Sequence, residues 1–147
     1  MGGRLSPDGR WIAYSSNESG KDEVYVQGFV PSADAGALAA GGKWMVSRGE
    51  SRGMVYWRAD GKELYFLTTD LKVMAVEVDS GSGFHAGAPV TLFQVPSALL
   101  RAPTPSALGA VTQDGQRFLF AIPVPRGVHG RPELARSAKE VTSIAWL

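Results

Sequence analysis

Ser51 is the residue of this chain whose neighbours best fit nucleophilic catalysis. It is the central residue of GESRG at 49–53, which matches the G-x-S-x-G pattern of serine hydrolases. His85 and His129 are the two histidines that could serve as its base. The pattern lies between two predicted strands with no helix after it, and both histidines lie in glycine-containing, loop-like segments. A structural role is therefore favoured, and a small esterase-like serine hydrolase is the alternative hypothesis.

Four oxygen-bearing side chains cluster in one predicted turn between two strands. They are Asn17, Glu18, Asp22 and Glu23. Oxygen-rich loops hold calcium when they present roughly six or more ligands in a tight bend, and this turn lacks the alternating carboxylate spacing of such a loop. We therefore predict a solvated hairpin tip, with no metal site and no cofactor.

A third group of candidates could bind a ligand without catalysis. Arg52, Tyr56, Trp57 and Arg58 lie in or beside a segment that is predicted to be an inner strand. At a central channel the two arginines could contact an anionic group, and the sequence equally allows this end of the strand to point to solvent. The other strand aromatics are expected to pack in the core, since large planar side chains fill the space between sheets.

One turn motif occurs three times and must position all of these residues. An Asp-Gly pair precedes alternating apolar and aromatic residues in SPDGRWIAY, RADGKELYF and TQDGQRFLF. Asp satisfies backbone groups in turns and Gly adopts positive φ without steric strain. The aspartates Asp8, Asp60 and Asp114 recur at a spacing of roughly fifty residues, which is typical of one propeller blade per period. Their recurrence is explained by turn geometry and gives no reason to assign them a catalytic role.

The strand pattern around these turns predicts the fold. We expect an all-β partial propeller of about two and a half to three four-stranded antiparallel blades. The chain would form a single domain over 1–147, with blade one at about 5–49, blade two at about 53–95 and blade three at about 107–147. Predicted strands include 11–15, 23–29, 43–47, 63–68, 73–78, 90–95, 117–122 and 140–147, and three Pro- or Gly-rich segments at 31–42, 96–106 and 123–136 are expected to be loops.

Composition excludes several classes of function. The chain has 147 residues, 44% of them hydrophobic, which suffices for a packed core. Its 15 basic and 14 acidic residues form no dense basic stripe, so nucleic acid is not an expected partner. It contains no cysteine, which excludes disulfides and thiolate chemistry. No window is apolar enough to span a membrane, and the first residues show no secretory signal peptide.

The repeated runs resemble a known family. SPDGRWIAYSSNESGKDEVYVQGF, GGKWMVSRGESRGMVYWRADGKELYFLTTDLKVMAVEV and VTQDGQRFLF are similar to Tol-type (PD40-like) β-propeller repeats. They look most like the C-terminal propeller of bacterial eukaryotic-like serine/threonine protein kinases. That resemblance implies a sensor or interaction propeller outside the membrane, in the periplasm. The kinase motifs do not occur in this chain, so the resemblance carries over neither kinase activity nor any catalytic residue.

An incomplete propeller leaves surfaces uncovered, and these surfaces predict a role for the chain. Fewer than three full blades leave large apolar faces and strand edges without neighbours, and such faces mark association sites. We therefore expect a non-catalytic sensor or interaction module that binds a protein or peptide partner or self-associates. The expected homo-oligomer is a dimer that closes a ring, and an upstream or partner propeller segment is the other candidate.

Overall fold

The chain is an all-β protein, as predicted. A computed structural model describes residues 3–30, 37–97, 110–121 and 140–144, and for 37–41, 121 and 140–144 it describes the backbone alone. These residues form no helix that is long and apolar enough to cross a membrane. Their strands are β1 (Gly3–Leu5), β2 (Trp11–Ser16), β3 (Glu23–Val30), β4 (Ala37–Met45), β5 (Ser51–Trp57), β6 (Glu63–Thr68), β7 (Lys72–Asp79), β8 (His85–Ala86), β9 (Val90–Gln94), β10 (Ala110–Val111), β11 (Arg117–Ala121) and β12 (Glu140–Ile144).

The first sheet is a four-stranded antiparallel meander. Its strand order is β1-β2-β3-β4, and each pair of neighbours is antiparallel. β1 is a strand of 3 residues. This sheet corresponds to the sheet predicted for residues 5–49.

β4 begins earlier than the sequence predicts. The Ala- and Gly-rich segment 31–42 is expected to be a loop, but β4 begins at Ala37, which pairs with Val30. The register shifts between Gln27 and Phe29, as at a β-bulge, and the ladder then continues. Ladder hydrogen bonds use backbone groups alone, so this strand extends without the apolar alternation on which the prediction relied. The loop prediction was wrong from residue 37 onward, and 31–36 lie outside the described residues.

The middle sheet has five strands. Its order is β5-β6-β7, with β9 and the short β8 both paired to β7. β6 has the predicted bounds, Glu63–Thr68. β8 was not predicted, because a strand of 2 residues carries no periodic signal.

The third sheet differs from the predicted antiparallel blade. Its described strands are β10, β11 and β12, and β12 runs parallel to β11. The sequence indicates an apolar strand at 140–147 without revealing its direction. A parallel pair requires a connection of about a dozen residues or more, which the segment 122–139 is long enough to provide. That segment contains the whole loop predicted at 123–136; it lies outside the described residues, as does most of the loop predicted at 96–106.

Two buried clusters place the three sheets face to face. β6 shows the arrangement, since its successive residues point to opposite faces of the middle sheet. Leu64 and Phe66 pack toward the first sheet, whereas Tyr65 and Leu67 pack toward the third sheet. The cluster between the first and middle sheets contains Ala13, Val24, Val26, Val46, Val55, Leu64, Phe66, Val76, Val78 and Phe84. The cluster between the middle and third sheets contains Met54, Tyr65, Leu67, Leu71, Val73, Ala75, Val95, Phe118 and Phe120.

Candidate functional site

Ser51 lies in the seam between the first and middle sheets. Its side chain is buried at 1% exposure, and its hydroxyl oxygen lies 3.0 Å from that of Ser15 on β2. The Ser51 amide donates a hydrogen bond to the Asp22 carbonyl at 2.6 Å. The GESRG segment therefore connects two sheets, and its serine is paired with another hydroxyl.

The structure does not bring Ser51 and His85 together. Ser51 pairs with Thr68, whose neighbour Leu67 pairs with Val73 near the beginning of β7. His85 pairs with Asp79 at the other end of β7. Strand β7 has 8 residues, so at about 3.3 Å per residue its ends lie about 23 Å apart. A nucleophile and its base must approach within hydrogen-bond reach. His129 lies outside the described residues.

The oxygen-rich turn that is predicted to be a solvated hairpin tip is held by an ion pair and hydrogen bonds. Glu18 forms an ion pair with Lys43. The hydrogen bond between these two side chains is the main reason why the pKa of the Lys43 ammonium group is raised. Glu23 accepts a hydrogen bond from the Ser19 hydroxyl at 2.6 Å. Within 3–30, 37–97 and the described C-terminal residues, no group of three or more His, Asp or Glu side chains is arranged to hold a metal ion.

The four predicted channel residues have different surroundings in the structure. Tyr56 packs against the cluster that faces the third sheet, and Trp57 packs against the cluster that faces the first sheet. Arg4 of β1 contacts both, because its guanidinium lies 5.2 Å from the Tyr56 ring centroid and its carbonyl accepts a 3.0 Å hydrogen bond from Trp57 Nε1. The Arg52 Nε atom is buried and has no hydrogen-bond partner among the described residues.

Arg58, the fourth of these residues, belongs to the second Asp-Gly turn. Its guanidinium donates two hydrogen bonds to Asp60, at 2.8 and 2.7 Å, and lies 3.0 Å from Glu63. The hydrogen bond to Asp60 is the main reason why the pKa of Arg58 is raised. Glu63 also accepts a hydrogen bond from the Tyr65 hydroxyl, and burial is the main reason why the pKa of Tyr65 is raised. The Arg58 guanidinium is therefore held by two nearby carboxylates, those of Asp60 and Glu63.

The three Asp-Gly turns share one hydrogen-bond pattern. In each turn the residue two positions before Asp donates a side-chain hydrogen bond to the Asp carboxylate, and the glycine amide donates to that same residue's carbonyl. The donors are Ser6, Arg58 and Thr112. The glycine bonds measure 2.8, 2.9 and 2.8 Å, and the glycines have φ of 70°, 72° and 68°. This shared geometry is what the Asp-Gly motif predicts for its turns.

These hydrogen bonds also keep the turn aspartates ionised. The Ser6 hydroxyl is the main reason why the pKa of Asp8 is lowered to about 2, and Arg58 similarly lowers the pKa of Asp60 to about 2. The Thr112 hydroxyl lowers the pKa of Asp114. Asp8 and Asp60 are therefore carboxylate acceptors at neutral pH.

A fourth turn, between β6 and β7, resembles these three but lacks glycine. The Thr68 hydroxyl donates to Asp70, and the Leu71 amide donates to the Thr68 carbonyl at 3.0 Å. Leu71 occupies the glycine position with φ of 64°, where a residue with a Cβ is strained. Its side chain is 4% exposed and lies in the cluster facing the third sheet. Burial of this side chain offsets the strain of the turn.

Consecutive turns meet at two junctions, and the two are filled differently. At the first junction, between the turns of Asp8 and Asp60, a cavity of about 260 Å³ is lined by Ser6, Pro7, Asp8, Trp11, Trp57, Asp60, Gly61 and Ser80. At the second junction, between the turns of Asp60 and Asp114, the Ala59 amide donates to the Gln113 carbonyl at 3.1 Å. There a Cβ built on Gly115 would lie 2.1 Å from the Tyr65 hydroxyl oxygen.

The residues around the first junction were missed as a group by sequence reasoning. The sequence singles out Asp8 and Asp60 as turn formers, but their proximity depends on how two sheets stack. The sequence signal for the cavity lies in the motif itself. The residues that differ between its copies show at which junction large side chains can fill the space between the sheets.

Comparison of the chain with protein-family models, curated proteins and solved structures finds no match. The fold and these contacts define the class: an all-β protein of three stacked sheets, in each of which an Asp-Gly turn joins the first two strands. The likeness to Tol-type propeller repeats, and the location outside the membrane that it implies, stay predictions.

Proposed function

We propose that this chain is a non-catalytic partial β-propeller that acts as an association module, in which a second copy or another protein segment completes the ring. The stacking of the sheets supports the proposal. Among the described residues, both faces of the middle sheet are covered by buried clusters, whereas only one face of the first sheet belongs to such a cluster. In a complete ring every sheet has a neighbour on each face.

The outer face of the first sheet carries the observation on which the proposal depends. Residues directly opposite each other on antiparallel strands share a face. Leu5 pairs with Ile12, and Tyr25 pairs with both Tyr14 and Met45. Leu5 is 49% exposed and Met45 is 55% exposed. Exposed apolar residues grouped on one face are typical of an interaction surface.

A charged pair accompanies this apolar face. The Lys43 ammonium lies 4.7 Å from the centroid of the Tyr25 ring and pairs with Glu18. Tyr25 is also covered by Tyr14, whose ring stacks with it at 6.1 Å. Polar groups at the edge of an apolar centre are the usual arrangement of a protein interface.

Solution mass tests the proposal. We expect the wild-type chain to form a dimer or higher oligomer at micromolar concentration, measured by light scattering after size-exclusion chromatography. Met45→Glu should weaken association at least about tenfold, because burying an unpaired charge is unfavourable. Val90→Glu is the matched control, since Val90 is 61% exposed but belongs to β9 of the middle sheet. A wild-type mass of one chain would contradict self-association and direct the search to a different protein partner.

The hydrolase alternative gains no support from the described residues, because Ser51 is buried and His85 lies at the far end of β7. Labelling with a fluorophosphonate probe tests it independently. Stoichiometric labelling of the wild-type chain, lost in Ser51→Ala, would support hydrolase chemistry.

A further inference from the structure

The cavity at the first junction is close in size to a small-ligand site and has both apolar and polar walls. Its volume of about 260 Å³ is slightly below the range of roughly 300–1,000 Å³ typical of drug-sized ligands. Two tryptophans and a proline supply apolar wall, and two carboxylates and two serines supply polar wall. Apolar walls with a few placed polar groups are typical of small-molecule sites.

Two substitutions between the copies of the motif explain why this junction is open. Counted from the Asp of each turn, Ser6 is equivalent to Arg58, and Ala13 is equivalent to Tyr65. At the second junction the Tyr65 ring and the Arg58 stem both crowd Gly115. A Cβ on Gly115 would lie 3.0 Å from the Tyr65 ring and 3.1 Å from the Arg58 stem. At the first junction, the described residue that a Cβ on Gly61 would meet is Pro7, at 3.6 Å. The small side chains of the first sheet leave this space open.

The charges of the cavity wall are already balanced. Arg10 pairs with Asp8 at 2.8 Å and also donates to the Ser80 carbonyl at 2.9 Å. Arg58 holds Asp60 through two hydrogen bonds. Among the described residues, each carboxylate accepts three hydrogen bonds within its turn. A carboxylate offers about four acceptor positions, so each retains capacity for one further donor.

We propose that the first junction binds a neutral, hydroxyl-bearing ligand of the size of one sugar ring. Hydroxyl groups of a pyranose would donate to the remaining acceptor positions of Asp8 and Asp60, and its apolar face would pack on Trp11 and Trp57. A cationic ligand fits less well, because each carboxylate already has an arginine beside it. This inference is independent of the association surface, which lies on the opposite face of the first sheet.

Titration of ¹⁵N-labelled protein with four methyl pyranosides, those of glucose, galactose, mannose and N-acetylglucosamine, tests the proposal. We expect at least one of them to shift the Trp11 and Trp57 indole N–H signals and the Gly61 amide signal, with a dissociation constant of roughly millimolar magnitude. L-Arginine methyl ester is the cationic comparison. No shift with any sugar, or tighter binding of the arginine ester, would overturn the proposal.

Ser6→Arg is the variant designed to fill the cavity, because it introduces the residue that the second turn has at the equivalent position. We expect it to weaken sugar binding at least about tenfold. Thr112→Arg, the same change at the third turn, is the matched control and should leave binding unchanged. Ser80→Phe is a second cavity-filling variant, because Ser80 lines the other wall. It provides the same test if Ser6→Arg does not fold. Unchanged binding in a folded cavity-filling variant would reject this site.

Discussion

The two junctions between consecutive Asp-Gly turns have similar turn backbones and different contents. In both, a turn glycine with φ near 70° faces the preceding sheet. Its amide donates a hydrogen bond to the carbonyl of the residue two positions before Asp. The second junction is filled by Tyr65 and Arg58, whereas the first junction encloses a cavity beside Ser6. The turn motif therefore determines the backbone, and residues outside the Asp-Gly pair determine whether the space between sheets is closed.

This difference separates two contributions to the stability of the stack. A closed junction adds side-chain packing to the turn, whereas the open junction relies on the turn's own hydrogen bonds, on the hydrogen bond from Arg10 to the Ser80 carbonyl and on the cluster beneath it. Matched substitutions at the two junctions can therefore measure each contribution separately.

Removing the aromatic filling of the second junction should have the largest effect. Tyr65 is 0% exposed and its ring centroid lies 5.1 Å from that of Phe118 on the third sheet. We expect Tyr65→Ala to lower the free energy of unfolding by about 3–5 kcal/mol, measured by urea denaturation. Tyr14→Ala on the outer face of the first sheet is the control, with an expected loss of about 1 kcal/mol. Equal losses would show that the second junction contributes no special packing.

Adding a methyl group at each turn glycine should distinguish the junctions directly. Gly61→Ala and Gly115→Ala share the strain of positive φ, which we expect to lower the free energy of unfolding by about 1 kcal/mol. Gly115→Ala must also displace the Tyr65 hydroxyl, so its total loss should be at least about 2–3 kcal/mol. Thermal denaturation of the two variants provides the comparison. A similar loss in both would contradict the difference in filling.

Removing the hydroxyl that holds the first or the third turn should show the effect of burial. Ser6 is 5% exposed, and its hydroxyl donates to Asp8 and accepts from the Trp11 amide at 3.0 Å. We expect Ser6→Ala to lower the free energy of unfolding by about 1–3 kcal/mol, because a partly buried amide loses its partner. Thr112→Ala removes the same two contacts at an exposed turn and should have a smaller effect. A larger loss from Thr112→Ala would reverse this ranking.

Acid should weaken the turns in a defined pH range. The pKa values of Asp8 and Asp60 are about 2 in the folded chain, below the unfolded value of about 3.9. Their contribution to stability is therefore present above about pH 4 to 5 and is lost as the pH falls through about 2. We expect the melting temperature to fall across this range, and Asp60→Asn to make its dependence on pH less steep. An unchanged slope in Asp60→Asn would exclude this contribution.

Local patterns in the sequence predict much of this fold. The Asp-Gly pairs mark the turns, and period-two alternation identifies β2, β3, β6 and β7 to within one residue at each end. The early start of β4 and the two-residue β8 could not be predicted, because neither carries apolar alternation. The direction of β12 depends on pairing between segments that are far apart in the chain, which local periodicity does not encode.

The candidate sites were harder to predict for the same reason. The GESRG pattern describes five adjacent residues, whereas Ser51 is buried where its strand meets another sheet, beside Ser15. The cavity at the first junction likewise depends on the small side chains of Ser6 and Ala13, whose neighbours are known only once the sheets are stacked. Residue types indicate possible chemistry, and packing between sheets decides which of it is available.

Leu71 couples the tip of the β6–β7 hairpin to the interior. A glycine at this position would allow the turn to open while the sheet stayed intact. With leucine, the turn cannot open unless the buried side chain also leaves the core. The Val95 amide, which donates to the Leu71 carbonyl at 2.8 Å, extends this dependence to the end of β9. Amide hydrogens at both places should therefore exchange with solvent at the slow rate of the surrounding core, so that the hairpin behaves as one cooperative unit.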